Sequence, residues 1–108
     1  MANGYQVVLA LDAKLQIESI INYWDERGDS NRADNLLDSF LMAMDDIAVM
    51  PSRYPPVPAI STGRYTFRRI LIKPYRMIYT IDERSMTVTV VDVDHEKRDP
   101  QVLIDKFG

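Results

Sequence analysis

Residues 64–93 read RYTFRRILIKPYRMIYTIDERSMTVTVVDV, and this stretch decides the fold. Successive strand residues point to opposite faces. From Arg64 to Ile72 the chain alternates on that period, with Tyr65, Phe67, Arg69 and Leu71 on one face. Thr66, Arg68, Ile70 and Ile72 fall on the other. Lys73-Pro74 marks a turn, and Tyr75 to Ile81 predicts a second strand. Asp82 to Ser85 turns the chain again into Met86 to Val93. The near-continuous apolar character of this third run predicts a central strand covered on both faces. Hairpin-length connections make the three strands an antiparallel meander.

Upstream, Tyr5 to Leu11 predicts a short strand. Asp12 is placed to cap a helix whose stripe is Ile17, Ile20, Ile21 and Trp24. Gly28 suits a left-handed stop. Ser30 is placed to cap a second helix with the stripe Ala33, Leu36, Leu37, Phe40, Leu41, Met44, Ile47 and Ala48. Pro51 ends it, because the residue before a proline is pushed out of helical geometry. The two helices form an αα-hairpin. Pro51 to Gly63 carries Pro51, Pro55, Pro56 and Pro58, and predicts a loop rather than a helix or central strand. Downstream, Asp99 with Pro100 at the first position starts a short C-terminal helix. The N-terminal strand must join the meander to bury itself. The expected architecture is α+β: one sheet with the helices packed on one face, in a single domain over residues 1–108.

Hydrophobic residues make up 46% of the chain, enough for a core. With no cysteine, disulfides and thiolate metal sites are excluded. No apolar run is long enough for a membrane helix, and the N-terminus lacks the features of a signal peptide, so a cytoplasmic protein is expected. Only four glycines are present, at positions 4, 28, 63 and 108, so phosphate-loop and dinucleotide fingerprints are absent. No G-x-S-x-G motif supports a serine nucleophile.

Charge is segregated. The net charge is −3, yet Pro51 to Ile81 holds six basic residues (Arg53, Arg64, Arg68, Arg69, Lys73 and Arg76) and no acid. An anion-binding face would use such cations through charge-assisted hydrogen bonds. A solvated sheet face balanced by acidic helices would show the same pattern. Arg68 and Arg69 point to opposite faces, so only one of them can join Arg64 and Arg76 on a surface with the proline loop. His95, the single histidine, stands among Asp92, Asp94, Glu96 and Asp99. One histidine among aspartates is a poor ligand set, and no metal is expected. The ring has the intrinsic pKa of a general acid or base. A locally hydrogen-bonded histidine at a strand end is the reading the residues alone favour. Tyr54, Tyr65, Tyr75 and Tyr79 suit core and cross-strand packing better than base stacking.

Three segments together resemble the RelE/ParE superfamily of bacterial toxins from type II toxin–antitoxin modules: VVLALDAKLQIESIINYWDERGD (7–29), RRILIKPYRMIYTID (68–82) and VTVVDVDHEKRDP (88–100). In the RelE-type branch the resemblance implies cleavage of ribosome-bound mRNA, with cations stabilising the charged transition state. Arg76 matches an arginine of that branch. Leu71 and Glu96 stand where further arginines are expected, and Val102 lies where a C-terminal tyrosine is expected. His95 with Arg76 would be a reduced catalytic site. In the ParE-type branch the resemblance implies poisoning of DNA gyrase without hydrolysis, as in plasmid-stabilisation modules. The HEKRD ending and the acidic net charge favour this branch. A third implied reading is a non-toxic antitoxin-binding module. The resemblance further implies a cognate antitoxin, a homodimer or a heterotetramer with that antitoxin, and no cofactor. The expected antitoxin- or target-binding residues are Arg64, Arg68, Arg69, Lys73, Arg76 and Arg98.

Overall fold

The computed structural model describes residues 4–61 and 65–108. The order of elements follows the hydrophobic pattern: β1 (Gln6–Leu9), α1 (Leu11–Glu26), α2 (Ser30–Val49), β2 (Arg68–Ile72), β3 (Tyr75–Asp82), β4 (Thr87–His95) and α3 (Pro100–Phe107). The strands form one sheet in the order β1-β4-β3-β2. β2, β3 and β4 make the antiparallel meander, and β1 adds to β4 in parallel. The helical hairpin supplies the crossover that a parallel pair requires.

The expected central strand is β4, which has a partner on each side. Val88, Val90 and Val93 face the hairpin, in a core with Ile17, Leu36, Phe40, Ile47, Ile70, Met77 and Tyr79. A second, smaller core lies on the opposite face. There Ile78 and Phe67 meet Val57 and Ile60 of the proline loop and Leu103 of α3. Helices therefore cover both faces, with the hairpin on one and α3 on part of the other. A bulge between Ile78 and Tyr79 in the β3–β4 register lets Val90 and Val93, three residues apart, share the hairpin face.

Several local expectations shift. α1 starts at Leu11 after Ala10, with no side-chain cap. The amide of Ala10 still bonds Val90 while its carbonyl already accepts from Lys14, so strand passes directly into helix. Asp12 sits inside the first turn instead of capping it. α2 is capped by Asp29 rather than Ser30, its carboxylate accepting from the Arg32 amide at 3.1 Å. Gly28 has φ +79°, as a left-handed stop requires. The proline loop contains two single 3-10 turns, Pro51–Arg53 and Pro58–Ile60. Each begins with a proline, where its missing amide costs nothing. β2 starts at Arg68. Before it, Phe67 is tied to the Ser61 hydroxyl and the Val57 amide rather than to a neighbouring strand. β4 runs on to His95.

The α2 stripe is narrower than its apolar residues suggest. Ala33, Leu36, Phe40, Ala43 and Ile47 are buried, whereas Leu37 and Leu41 are 40% and 48% exposed. The buried set follows the alternating three- and four-residue spacing of one seam, and Leu37 and Leu41 lie on its flank.

Tyr79 is fully buried and donates its hydroxyl hydrogen bond to the Pro51 carbonyl. Burial pushes its pKa well above the usual 10.0, against the lowering influence of Arg68. A raised folded-state pKa contributes stability that is complete below the unfolded value and is lost as pH rises toward the folded one. Stability of the native protein should therefore fall above pH 10. Tyr79→Phe should cost about 1 kcal/mol at neutral pH through the lost hydrogen bond and should flatten that alkaline decline. Urea titrations across the alkaline range measure both effects. An unchanged alkaline slope would remove Tyr79 as its source.

Candidate functional site

The β2–β3–β4 register determines what the basic strands can do. Leu71 pairs with Arg76 and Arg69 with Ile78, so Arg69 and Arg76 share the face that carries α3. Arg68 pairs with Tyr79 on the hairpin face and donates to the Tyr54 carbonyl at 2.7 Å. Arg64 lies outside the described residues.

Arg76 lies across from Asp94 on β4, and its guanidinium grips that carboxylate through Nε at 2.7 Å and Nη2 at 3.2 Å. Both side chains are withdrawn from water, at 12% and 3% exposure. Arg98 approaches Asp94 at 3.5 Å and Asp92 at 3.6 Å. Asp92 is fully buried. Its Oδ1 accepts from Lys106 at 2.9 Å and from Gln16 at 2.8 Å. Among the described residues, Oδ2 accepts no hydrogen bond and lies 3.6 Å from the Arg98 guanidinium. Lys106 also reaches Asp12 at 3.2 Å. Burial alone would lower the Lys106 pKa, but the hydrogen bonds to Asp92 and Asp12 outweigh it and hold the ammonium above its usual value. One chain of alternating charge thus runs Asp12–Lys106–Asp92–Arg98–Asp94–Arg76, joining α1, α3 and the sheet.

Gln16 has a second task. β1 ends at Leu9, opposite Val90, and leaves the β4 edge uncovered beyond it. The Gln16 Oε1 accepts from the Val93 amide at 2.8 Å and so satisfies that edge from a helix. In the sequence, Asp92 and Asp94 stand out only as acids near His95. Their signal was the alternation in VVDVD, which sets two carboxylates on one face of an interior strand. Buried carboxylates there require cationic partners.

His95 pairs with Tyr75 in the β3–β4 register, so it leaves the sheet on the hairpin face. Its ring stands edge-on to Tyr75 at 5.9 Å and lines a pocket of about 430 Å³ with Trp24, Tyr23 and Pro74. Nδ1 accepts from the Lys97 amide at 3.1 Å, which places the proton of the neutral ring on Nε2. Arg76 and His95 therefore project to opposite sides of the sheet and cannot meet one phosphate. Among the remaining expected cations, Arg69 donates its backbone amide to the Pro55 carbonyl at 3.1 Å, while its guanidinium makes no hydrogen bond or ion pair with the described residues. Lys73, with its side chain 72% exposed, is 3.7 Å from Glu96. The structure brings Arg76 and Arg98 together on Asp94. Among the described residues, it does not gather Arg68, Arg69, Lys73, Arg76 and Arg98 into one pocket.

The fold is a mixed four-stranded sheet with an αα-hairpin on one face, a basic segment over β2 and β3, and a short C-terminal helix on the other face. Residues 7–100 match the family model described as ParE toxin of type II toxin-antitoxin system, parDE. The chain belongs to that family and is a toxin of a type II toxin–antitoxin system. Solved structures share the fold. The archaeal RelE-RelB complex from Pyrococcus horikoshii OT3 contains a chain 15% identical, with TM-score 0.64, covering 89% of this chain and 99% of that one. The RelBE2 toxin-antitoxin complex from Mycobacterium tuberculosis contains one 21% identical, with TM-score 0.56, covering 89% and 94%. No curated protein sequence matches the chain. Among the described residues, no helix is long and apolar enough to cross a membrane.

Proposed function

We propose that this toxin acts by binding and inhibiting DNA gyrase, without hydrolytic chemistry of its own, and that a cognate antitoxin neutralises it. The observation that carries this reading is the placement of Arg76 and His95. They are the two groups the sequence offers for RNA cleavage. Phosphoryl chemistry needs its cation and its proton carrier to converge on the reacting phosphate. Here they lie on opposite faces, and Arg76 is already neutralised by Asp94. The parDE family match supports the same reading. The two solved relatives, both titled as complexes of toxin with antitoxin, support a partner of that kind.

Purified toxin should block gyrase supercoiling and leave mRNA on programmed ribosomes intact. Cleavage confined to the ribosomal assay would overturn the proposal.

Arg69 and Lys73 are the proposed contacts for the antitoxin or the target. Arg68, Arg76 and Arg98 hold that surface in shape through their internal partners. Arg69→Glu combined with Lys73→Glu should weaken antitoxin association by about tenfold or more, mainly through a slower on-rate that is sensitive to salt. Surface plasmon resonance at two ionic strengths checks it. Unchanged association together with unchanged toxicity would remove both residues from the interface.

A further inference from the structure

The proposed function leaves His95 and the pocket beside it without a task. The walls of that pocket come from three segments. Ser19 with Tyr23, and Ile20 with Trp24, stand four residues apart on α1 and so share a flank of the helix. Tyr75 and His95 are register partners on β3 and β4, and both line the cavity. Pro74 bounds it from the β2–β3 turn, and the space is about 430 Å³. The aromatic walls are held in place by their neighbours. Trp24 donates its indole N–H to the Tyr75 hydroxyl at 3.1 Å, and the Arg32 guanidinium stacks 4.3 Å from the Trp24 ring centre. Tyr23 stands edge-on to Trp24 at 5.0 Å, and the ring of Phe40 lies 6.2 Å from that of Tyr75.

Two hydrogen-bond donors of this pocket are unused. The Tyr75 oxygen already accepts from Trp24, so its hydroxyl hydrogen is left to donate. His95 accepts the Lys97 amide at Nδ1, which leaves the Nε2 hydrogen as a donor. Neither hydrogen meets an acceptor among the described residues. The aromatic walls suit a flat ring, and the two donors suit acceptors on its edge. The surrounding charges cancel. Lys73 lies 3.7 Å from Glu96. Exposed Lys97, two residues beyond His95, is matched by exposed Glu26, three residues beyond Tyr23. No net charge there selects a polyanion.

We propose that this pocket binds a guanine base, supplied either by a free nucleoside or nucleotide or by an unstacked residue of a single strand. Stacking on tryptophan and tyrosine accepts any base. The donors choose among them. Guanine offers two neighbouring acceptors, O6 and N7, whereas adenine offers N7 beside an amino donor. A phenylalanine or tyrosine side chain of a partner protein would fill the apolar space but presents no such pair of acceptors. The site lies on the hairpin face of the sheet, across from Arg76 and Asp94. It is separate from the buried ion pairs and requires no bond cleavage, so it stands whether the target is gyrase or the ribosome.

Trp24 is the single tryptophan of the chain, so its fluorescence reports on the pocket directly. The full toxin is titrated with guanosine, adenosine, inorganic phosphate and N-acetyl-tyrosinamide, the last standing in for a partner's aromatic side chain. Guanosine should quench Trp24 and bind about fivefold or more tighter than adenosine, the difference expected of one hydrogen bond. Ser19→Phe, at an exposed helical position, should fill the pocket and abolish the quenching while the circular dichroism spectrum stays native. His95→Ala should reduce the preference for guanosine. A single-stranded oligonucleotide carrying one guanine separates the two sources. Affinity equal to that of guanosine assigns the pocket to the free base, and tighter binding assigns it to a strand. No response to guanosine at millimolar concentration, equal affinities for guanosine and adenosine, tighter binding of N-acetyl-tyrosinamide, or a response to phosphate alone would each overturn the proposal. Gyrase inhibition is read separately, so failure here leaves the reading of the target standing.

Discussion

Replacing Asp94 with alanine should lower the stability of the fold by about 3–5 kcal/mol, the cost of leaving one member of a buried ion pair alone. The guanidinium left behind is Arg76, whose side chain is 12% exposed and whose Nε and Nη2 both lose their acceptor. Arg98 cannot compensate, because it too is a cation facing the vacated site. The effect is one of desolvation rather than of attraction lost. Arg76→Met with Asp94→Leu should therefore recover most of the deficit, since apolar residues of similar size need no partner there. Urea unfolding of the wild type, the two single variants and the double variant measures the cycle. A loss below about 1 kcal/mol for Asp94→Ala would place the pair in the class of exposed salt bridges and would free Arg76 for an external ligand. The same logic makes Arg76→Glu a poor probe of antitoxin binding: it would set two carboxylates against each other inside the protein.

Phe40→Ala should cost about 3–5 kcal/mol, from lost transfer energy plus the cavity left where the structure cannot close in. Phe40 is fully buried at the middle of α2, and its ring lies 6.2 Å from that of Tyr75 on β3. It joins the hairpin to the sheet, so the cavity falls between two layers held by their own backbone bonds. Thermal and urea denaturation should both show the loss, with the secondary structure of the remaining native fraction unchanged. A loss of 1 kcal/mol or less would mean that the layers collapse onto the site, contrary to the close packing expected of such a core.

Much of this fold was legible in the sequence, and the reason is local. The alternation from Arg68 to Ile72 and from Tyr75 to Ile81 fixes which residues share a face. The stripes in α1 and α2 fix which sides of those helices seek cover. Gly28 and Pro51 punctuate the hairpin as their backbone chemistry demands. Caps were less legible. Asp29 and Ser30 are adjacent and both competent, and the cap is decided by where the chain leaves α1. Leu37 and Leu41 look like core in the sequence because they are leucines beside a buried seam. Their exposure follows from how narrow a strip of α2 the sheet and α1 can cover.

The candidate site was legible as composition and illegible as geometry. The sequence by itself determined the order of elements, the gathering of cations into the third from Pro51 to Ile81, and the presence of His95 beside a run of acids. Only the tertiary structure decided that Arg76 closes on Asp94, that Arg98 and Lys106 neutralise Asp92, and that His95 leaves the opposite face of the sheet. The physical reason is that a strand's period states which side chains share a face. It says nothing of which face is covered, nor of which residue on another strand stands opposite. Those depend on register between segments far apart in the chain, and register here is set by burying two cores at once.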